Sequence, residues 1–143
     1  MPSQFSKPYD ALLQLKDAGA VTADAAAQVG GSNQILDLGV GRVDAKVKLQ
    51  VTALDVTSGD ERYVLTMQGS NSATFASGIV NLGSKQFGDS SVTLESADSV
   101  VGEYEFAVTN DQNGSLYRYV RMYTDVSGTT PSINYVAWLV PQT

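Results

Sequence analysis

Between residues 45 and 54 every second side chain is apolar: Val47, Leu49 and Val51 alternate with Lys46, Lys48, Gln50 and Thr52. Side chains on a strand point to opposite faces in turn, so this period of two predicts a strand with one face buried and one wet. The pattern then recurs. Residues 62–69 set Tyr63, Leu65 and Met67 on one side, and Asp55-Val56-Thr57-Ser58-Gly59-Asp60 before them supplies turn chemistry, so the two runs are expected to pair antiparallel. Further strands are predicted at 33–38, 78–82, 91–95, 103–109, 116–124 and 132–140, with Gly39-Val40-Gly41, Asn110-Asp111-Gln112-Asn113-Gly114 and Val126-Ser127-Gly128 as breakers.

Eight antiparallel strands without an internal repeat predict an all-β fold, an eight-stranded antiparallel two-sheet sandwich of jelly-roll type. Alanine favours helix, but the alanine-rich residues 18–28 are framed by Gly19 and Gly30-Gly31 and include Val21 and Thr22, which weighs against a helix there. Pro2 and Pro8 and the lack of an apolar pattern mark residues 1–11 as an extended N-terminal arm; residues 12–143 form a single domain. A chain of 143 residues buries roughly 68% of its unfolded surface and needs no covalent staples.

Two absences narrow the chemistry. The chain has no cysteine and no histidine, which removes thiolate nucleophiles, Cys-based metal sites, the commonest general base and the usual orienting member of a triad. No catalytic centre, cofactor or metal site is therefore expected. Fifteen acidic against nine basic residues give a net charge of −6, the wrong sign for a phosphate-binding surface, so nucleic acid is not an expected partner. No apolar run approaches a membrane span, and Met1-Pro2-Ser3-Gln4-Phe5 lacks the basic-then-apolar layout of a signal peptide, so no membrane is expected and synthesis is placed in a cytoplasm. Asn113-Gly114-Ser115, though it has the form of a glycosylation acceptor, carries no weight in that setting.

Four constellations suggest chemistry or binding. Gly39-Val40-Gly41-Arg42-Val43-Asp44 starts like a dinucleotide fingerprint but has Asp44 where the third glycine belongs, and reads as a turn. Glu103 and Glu105 share one strand face about 7 Å apart, which brings a paired-carboxylate glycosidase into consideration. The third carboxyl of a jelly-roll glucanase strand is missing, so a solvated face opposite Tyr104, Phe106 and Val108 is the favoured reading. The 55–61 loop and the turn with Asn110, Asp111 and Asn113 offer oxygen ligands for Ca²⁺ without the EF-hand order.

The fourth, Leu116-Tyr117-Arg118-Tyr119-Val120-Arg121-Met122-Tyr123, is the most distinctive. A single strand here puts Tyr117, Tyr119, Arg121 and Tyr123 on one face and Leu116, Arg118, Val120 and Met122 on the other, each face with an arginine. Buried charge must be paired, so such a strand is expected to be partly open, and two readings stand side by side: an interface strand, Tyr and Arg being residues of hot spots, or a core strand whose arginines extend their stems to solvent or a carboxylate. Tyr117, Tyr119, Arg121 and Tyr123 are thus candidate partner contacts, together with Lys46 and Lys48 on the wet face of the 45–54 strand, where ordinary solvation is the favoured reading and guarding against edge pairing or meeting an acidic partner are the alternatives. The same tyrosines suit sugar stacking, with Trp138 as a companion if adjacent, so a carbohydrate-binding or adhesion sandwich on a particle or cell surface is the alternative.

The string Gln68-Gly69-Ser70-Asn71-Ser72-Ala73-Thr74-Phe75, then Val80-Asn81-Leu82-Gly83 and Tyr117-Arg118-Tyr119-Val120-Arg121-Met122, resembles the capsid cement, or decoration, proteins of tailed phages of the Bordetella phage type. The alanine-rich lead Asp17-Ala18-Gly19-Ala20-Val21-Thr22-Ala23 and the Asp37-Leu38-Gly39 turn extend the resemblance, which runs from about residue 12 to residue 140. It implies a jelly-roll virion protein, made in the bacterial host cytoplasm, that sits on the outer capsid surface. There it clamps neighbouring major-capsid subunits, as a homodimer or homotrimer. A longer N-terminal lead and the connection from Asp98 to Gly102 depart from the family pattern and bear on the contact residues more than on the fold.

Overall fold

The computed structural model describes residues 13–88 and 100–141. Among them there is no α-helix. Six short strands open the chain: β1 (Gln14–Lys16), β2 (Ala20–Val21), β3 (Ala25–Ala26), β4 (Gln28–Val29), β5 (Ser32–Asn33) and β6 (Leu36–Asp37). Then come β7 (Asp44–Leu54), β8 (Arg62–Ser70), β9 (Val80–Gly88) and β10 (Gly102–Thr109), the small hairpin of β11 (Asp111–Gln112) and β12 (Ser115–Leu116), and finally β13 (Tyr119–Ser127) and β14 (Ile133–Pro141). One sheet has the order β1-β14-β7-β10, with β2 also on β14. The other has the order β3-β13-β8-β9, with β6 also on β13. Every pairing in both is antiparallel.

The fold is thus an all-β antiparallel sandwich, and the period-two pattern explains its interior. Val47, Leu49 and Val51 of β7 face Tyr63, Leu65 and Met67 of β8 across the core, with Tyr135, Ala137 and Leu139 of β14 and Val120 and Met122 of β13 beside them, all buried. Tyr135 and Thr124 tie the layers together through a hydroxyl pair 2.6 Å apart inside the core.

One expected pairing is wrong. β7 and β8 do not pair: β7 lies between β14 and β10 in one sheet, β8 between β13 and β9 in the other, and the 55–61 turn crosses from layer to layer. Alternation fixes which face a strand buries but not which strand lies beside it. The crossing is pinned by buried Tyr63, whose hydroxyl donates to the Asp55 carbonyl at 2.6 Å and accepts the Ser132 N–H at 2.8 Å. Close backbone packing at the same end demands glycine at residue 88, where φ is +79° and a Cβ would stand 2.2 Å from the Glu61 carbonyl oxygen.

Other predicted strands are found with altered ends. The run at 33–38 splits into β5 and β6, the run at 78–82 extends into β9, and that at 116–124 is interrupted between β12 and β13. The predicted strand at 91–95 and the N-terminal arm lie outside the described residues. Among the described residues ten strands make up the two sheets: seven correspond to predicted runs, and β1, β2 and β3 are short additions from the lead.

The alanine-rich lead is a strap, not a helix. β1 and β2 pair with β14 of one sheet, while β3 and β6 pair with β13 of the other, so residues 14–37 close the sandwich along one side. Lys16 organises this strap. Its side chain is buried, lies over the Tyr135 ring at 4.6 Å, and donates at 2.9 Å to the carbonyls of Asp17, Gly19 and Tyr135. Three N–H donors meet three acceptors, which offsets the desolvation of the ammonium. That desolvation holds its pKa below the ordinary value.

Candidate partner-binding surface

β13 buries Val120, Met122 and Thr124, so Tyr119, Arg121 and Tyr123 point outward, where each is half-buried. These three candidates share one face of one strand, as the sequence pattern required. Tyr117 and Arg118 do not belong to that strand. The Tyr117 N–H donates to the Asn110 carbonyl and the Arg118 carbonyl accepts from the Leu38 N–H, and these loop bonds turn the chain before β13 begins. The expectation of an arginine on each strand face is therefore corrected. Arg118 is exposed beside the strand start, and its guanidinium grips Asp37 through Nε to Oδ1 at 2.8 Å and Nη2 to Oδ2 at 2.9 Å. This fork, aided by the Gly39 N–H, holds the Asp37 carboxyl below its usual range.

Arg121 is held on three sides. Its guanidinium carbon lies 4.4 Å from the Phe75 ring centre and 5.6 Å from that of Tyr123, and its Nε donates to Gln68 Oε1 at 2.9 Å. Burial lowers its pKa from the ordinary value. Cation–π contacts of this kind are worth about 0.5–2 kcal/mol each, rising as water is excluded. Phe75 was not among the candidates from sequence. It is only 6% exposed and sits at φ +55°, a left-handed conformation that strains a residue with a Cβ by about 1–2 kcal/mol. Its stacking on Arg121 is the visible compensation.

The 68–75 corner and the tyrosine–arginine stretch are one physical unit. Asn71 donates to the Leu116 carbonyl at 3.1 Å and accepts the Arg118 N–H at 2.9 Å. Ser70 Oγ donates to the Ser77 carbonyl and accepts the Ser72 N–H, which shapes the corner that carries Phe75 over the sheet. Gly69 is tightly packed here: a Cβ would lie 2.8 Å from Leu82 Cδ1 and 3.1 Å from the Cβ of Tyr117, so the leucine side chain would have to move aside. Tyr117 lines a shallow pocket of about 440 Å³ with Asn71, Ile79 and Val80. Buried Asn110 binds the third loop, accepting the Val43 N–H and donating to the carbonyls of Gly41 and Tyr117. The sequence signal for this unit was the presence of both strings in the family resemblance; nothing in their spacing showed that they touch.

Lys46 and Lys48 stand apart from this surface. They face outward from the other sheet, and both bind Glu105 on the neighbouring strand, Lys46 at 2.9 Å. The two ammonium groups draw the Glu105 carboxyl down to about 2. Because β7 is paired on both sides, these lysines guard no sheet edge, which corrects that expectation.

The remaining constellations can be placed. A carboxyl at about 2 holds no proton near neutral pH, so Glu105 is unsuited to be the acid of a glycosidase pair with Glu103. Around the 55–61 loop the carboxylates are engaged locally: Asp55 accepts from Thr57, Asp60 from Thr129, and buried Glu61 from the Ser58 and Gly59 N–H groups. Asp111 likewise accepts the Gly114 N–H and pairs with Arg42. Among the described residues no group of three or more carboxylates is arranged to hold a metal ion. Gly39-Val40-Gly41 is a turn between β6 and β7. Tyr119 and Trp138 occupy the outer faces of opposite sheets, so they cannot stack on one sugar. Scanned against models of protein families the chain matches none, and no curated protein sequence matches it.

Proposed function

We propose that the chain is a structural virion protein of jelly-roll type that decorates the outside of a tailed-phage capsid and clamps neighbouring major-capsid subunits, with no catalytic step. One observation carries the reading. The two strings that resemble the cement proteins, residues 68–75 and 117–122, are locked together by the Asn71 bridge, the Gln68–Arg121 bond and the Phe75–Arg121 stack. Such a unit presents Tyr119, Arg121 and Tyr123 on a sheet rather than on a free loop, and the ordering entropy is met during folding rather than on binding. A clamp repeated many times over a shell needs only modest affinity per copy, because the contacts act together. In this reading the protein is made in the bacterial host cytoplasm and works on the outer capsid surface as a homodimer or homotrimer.

The test is co-sedimentation with expanded shells assembled from the cognate major-capsid protein. Saturable binding is expected, weakened at least tenfold by the paired changes Tyr119→Ala and Tyr123→Ala. Shells that stay bare at saturating protein overturn the proposal. Retention on a polysaccharide column, lost in Tyr119→Ala, replaces it with the carbohydrate-binding alternative.

A further inference from the structure

Five large apolar side chains are exposed among the described residues, and three of them sit at one end of the sandwich: Val40 is 85% exposed, Ile79 42% and Leu116 39%. They come from three connections. Residues 38–43 run from β6 to β7, residues 71–79 from β8 to β9, and residues 110–118 carry the chain from β10 through the small hairpin to β13. The registers put all three at the same end, since Asp44 lies beside Thr109 in one sheet and Tyr119 beside both Ser70 and Asp37 in the other. Single exposed aliphatic residues are ordinary on a folded surface, but folding gains nothing from Val40 and little from the other two. Their grouping on connecting loops is what marks this end as an interaction surface.

The three loops are laced into one surface, with the 110–118 segment in the middle. Asn110 donates to the Gly41 carbonyl and accepts the Val43 N–H, the Arg118 carbonyl accepts from Leu38, and Asn71 joins the 71–79 corner to Leu116 and Arg118. Next to Leu116, Tyr117 lines the pocket of about 440 Å³ with Asn71, Ile79 and Val80. A shallow pocket does not cover most of a free small molecule, as a ligand site must; it fits side chains that project from a larger partner. Charge narrows that partner further. The loops and the strand ends beside them hold Arg42, Arg118, Asp37, Asp44 and Asp111, all paired within this end: Arg42 with Asp44 at 3.2 Å and Asp111 at 3.3 Å, Arg118 with Asp37 at 2.8 Å. Among the described residues no unpaired cation is left here for a phosphate or an anionic headgroup, so the surface suits an uncharged, apolar protein segment.

This end adjoins the outward face of β13. The Arg118 guanidinium carbon lies 5.4 Å from the Tyr119 ring centre, and Tyr119 is the first residue of that strand. The two surfaces face different ways, because strand side chains stand across the sheet whereas the loops look along the strands. A clamp needs two such contacts. We infer that the loop end seats apolar side chains of a second major-capsid subunit, neighbouring the one held by Tyr119, Arg121 and Tyr123. The inference rests on the capsid reading and adds to it the part of the fold that reaches the neighbouring subunit. Ile79, Leu116 and Tyr117 form the pocket contact, and the hydrogen bonds between the loops preset it, so little freedom is lost on binding.

Co-sedimentation with cognate shells tests it through exposed residues that folding does not need. Ile79→Ser with Leu116→Ser should weaken binding about tenfold or more at an unchanged melting temperature, and Val40→Ser, at the most exposed position, should weaken it about threefold on its own. Val100→Ser with Val101→Ser removes the other two exposed aliphatic side chains, 67% and 50% exposed, and should leave binding at the parent level. End variants that bind shells as tightly as the parent, or a control pair that loses as much, overturn the inference and leave decoration standing. Shells left bare by the parent itself overturn the capsid reading and this inference with it. If the parent floats with zwitterionic lipid vesicles and the Ile79–Leu116 pair does not, the end is a lipid-binding surface and the inference falls.

Discussion

Removing the Tyr135 hydroxyl should cost less when Thr124 has already lost its own. The two oxygens lie 2.6 Å apart, between side chains that are 0% and 1% exposed, so neither has water to fall back on. Tyr135→Phe keeps the ring in place and strands the threonine hydroxyl, at a cost of about 1–2 kcal/mol; Thr124→Val keeps the shape and strands the phenol, at about 1–3 kcal/mol. The double variant has no stranded group, and its loss should fall short of the sum by about 1–2 kcal/mol. Urea unfolding followed by circular dichroism measures all four corners of this cycle. A pH series adds a second readout. Burial raises the Tyr135 pKa well above the ordinary 10.0, so above about pH 10 the unfolded chain releases this proton while the folded chain keeps it. Folding then becomes less favourable by about 1.4 kcal/mol per pH unit for this one group. Tyr135→Phe lacks that contribution, so its deficit relative to the parent at pH 8 should close by about pH 11, while the other titrating groups cancel in the comparison. Additive single variants, or a deficit unchanged between those pH values, would refute the account of Tyr135 as a buried, hydrogen-bonded tie between the layers.

Three further outcomes follow from the geometry. Gly88→Ala should lower the melting temperature severely or prevent folding, a loss above about 3 kcal/mol, because its Cβ meets the Glu61 carbonyl at 2.2 Å; Gly41→Ala, with open space around it, should melt like the parent in the same calorimetric scan. Arg121→Lys keeps the charge but loses the planar stack on Phe75 and the Nε bond to Gln68, so it should cost about 1 kcal/mol in thermal unfolding and weaken shell binding as well. Glu105 has a folded pKa of about 2 against an ordinary 4.5, so its contribution is present above 4.5 and is lost as pH falls toward 2. Exposure limits that contribution to about 1 kcal/mol at most, and the stability gap between the parent and Glu105→Gln should vanish near pH 2 in acid titrations.

Much of the layer structure was legible in the alternation of Val47, Leu49 and Val51 and of Tyr63, Leu65 and Met67, because a period of two states directly which side chains are buried. Neighbours were not legible. Nothing local says that β7 lies beside β14, about eighty residues away, rather than beside β8 across the next turn. The strap escaped for a different reason: its strands are two or three residues long and owe their shape to Lys16 and to the sheets they close, not to their own propensities. At the candidate surface, Tyr119, Arg121 and Tyr123 fell on one face as the pattern required, whereas Tyr117 left the strand because loop bonds to Asn110 compete for its backbone. Phe75 carried no signal of its own, since an aromatic residue at positive φ is unfavourable locally and is held there by Arg121.

The strap also bears on how the chain acquires its structure. β1 and β2, near its beginning, find their partner in β14, which ends at Pro141. During synthesis β1 and β2 must wait until β14 has emerged, more than a hundred residues later, so folding should be slow for the chain's size. Until then β1, β2 and the edge of β7 that takes β14 lack their partner and can recruit strands from other unfinished chains. Crowded production therefore favours tangled aggregates through this side of the molecule, and slower synthesis should raise the soluble yield.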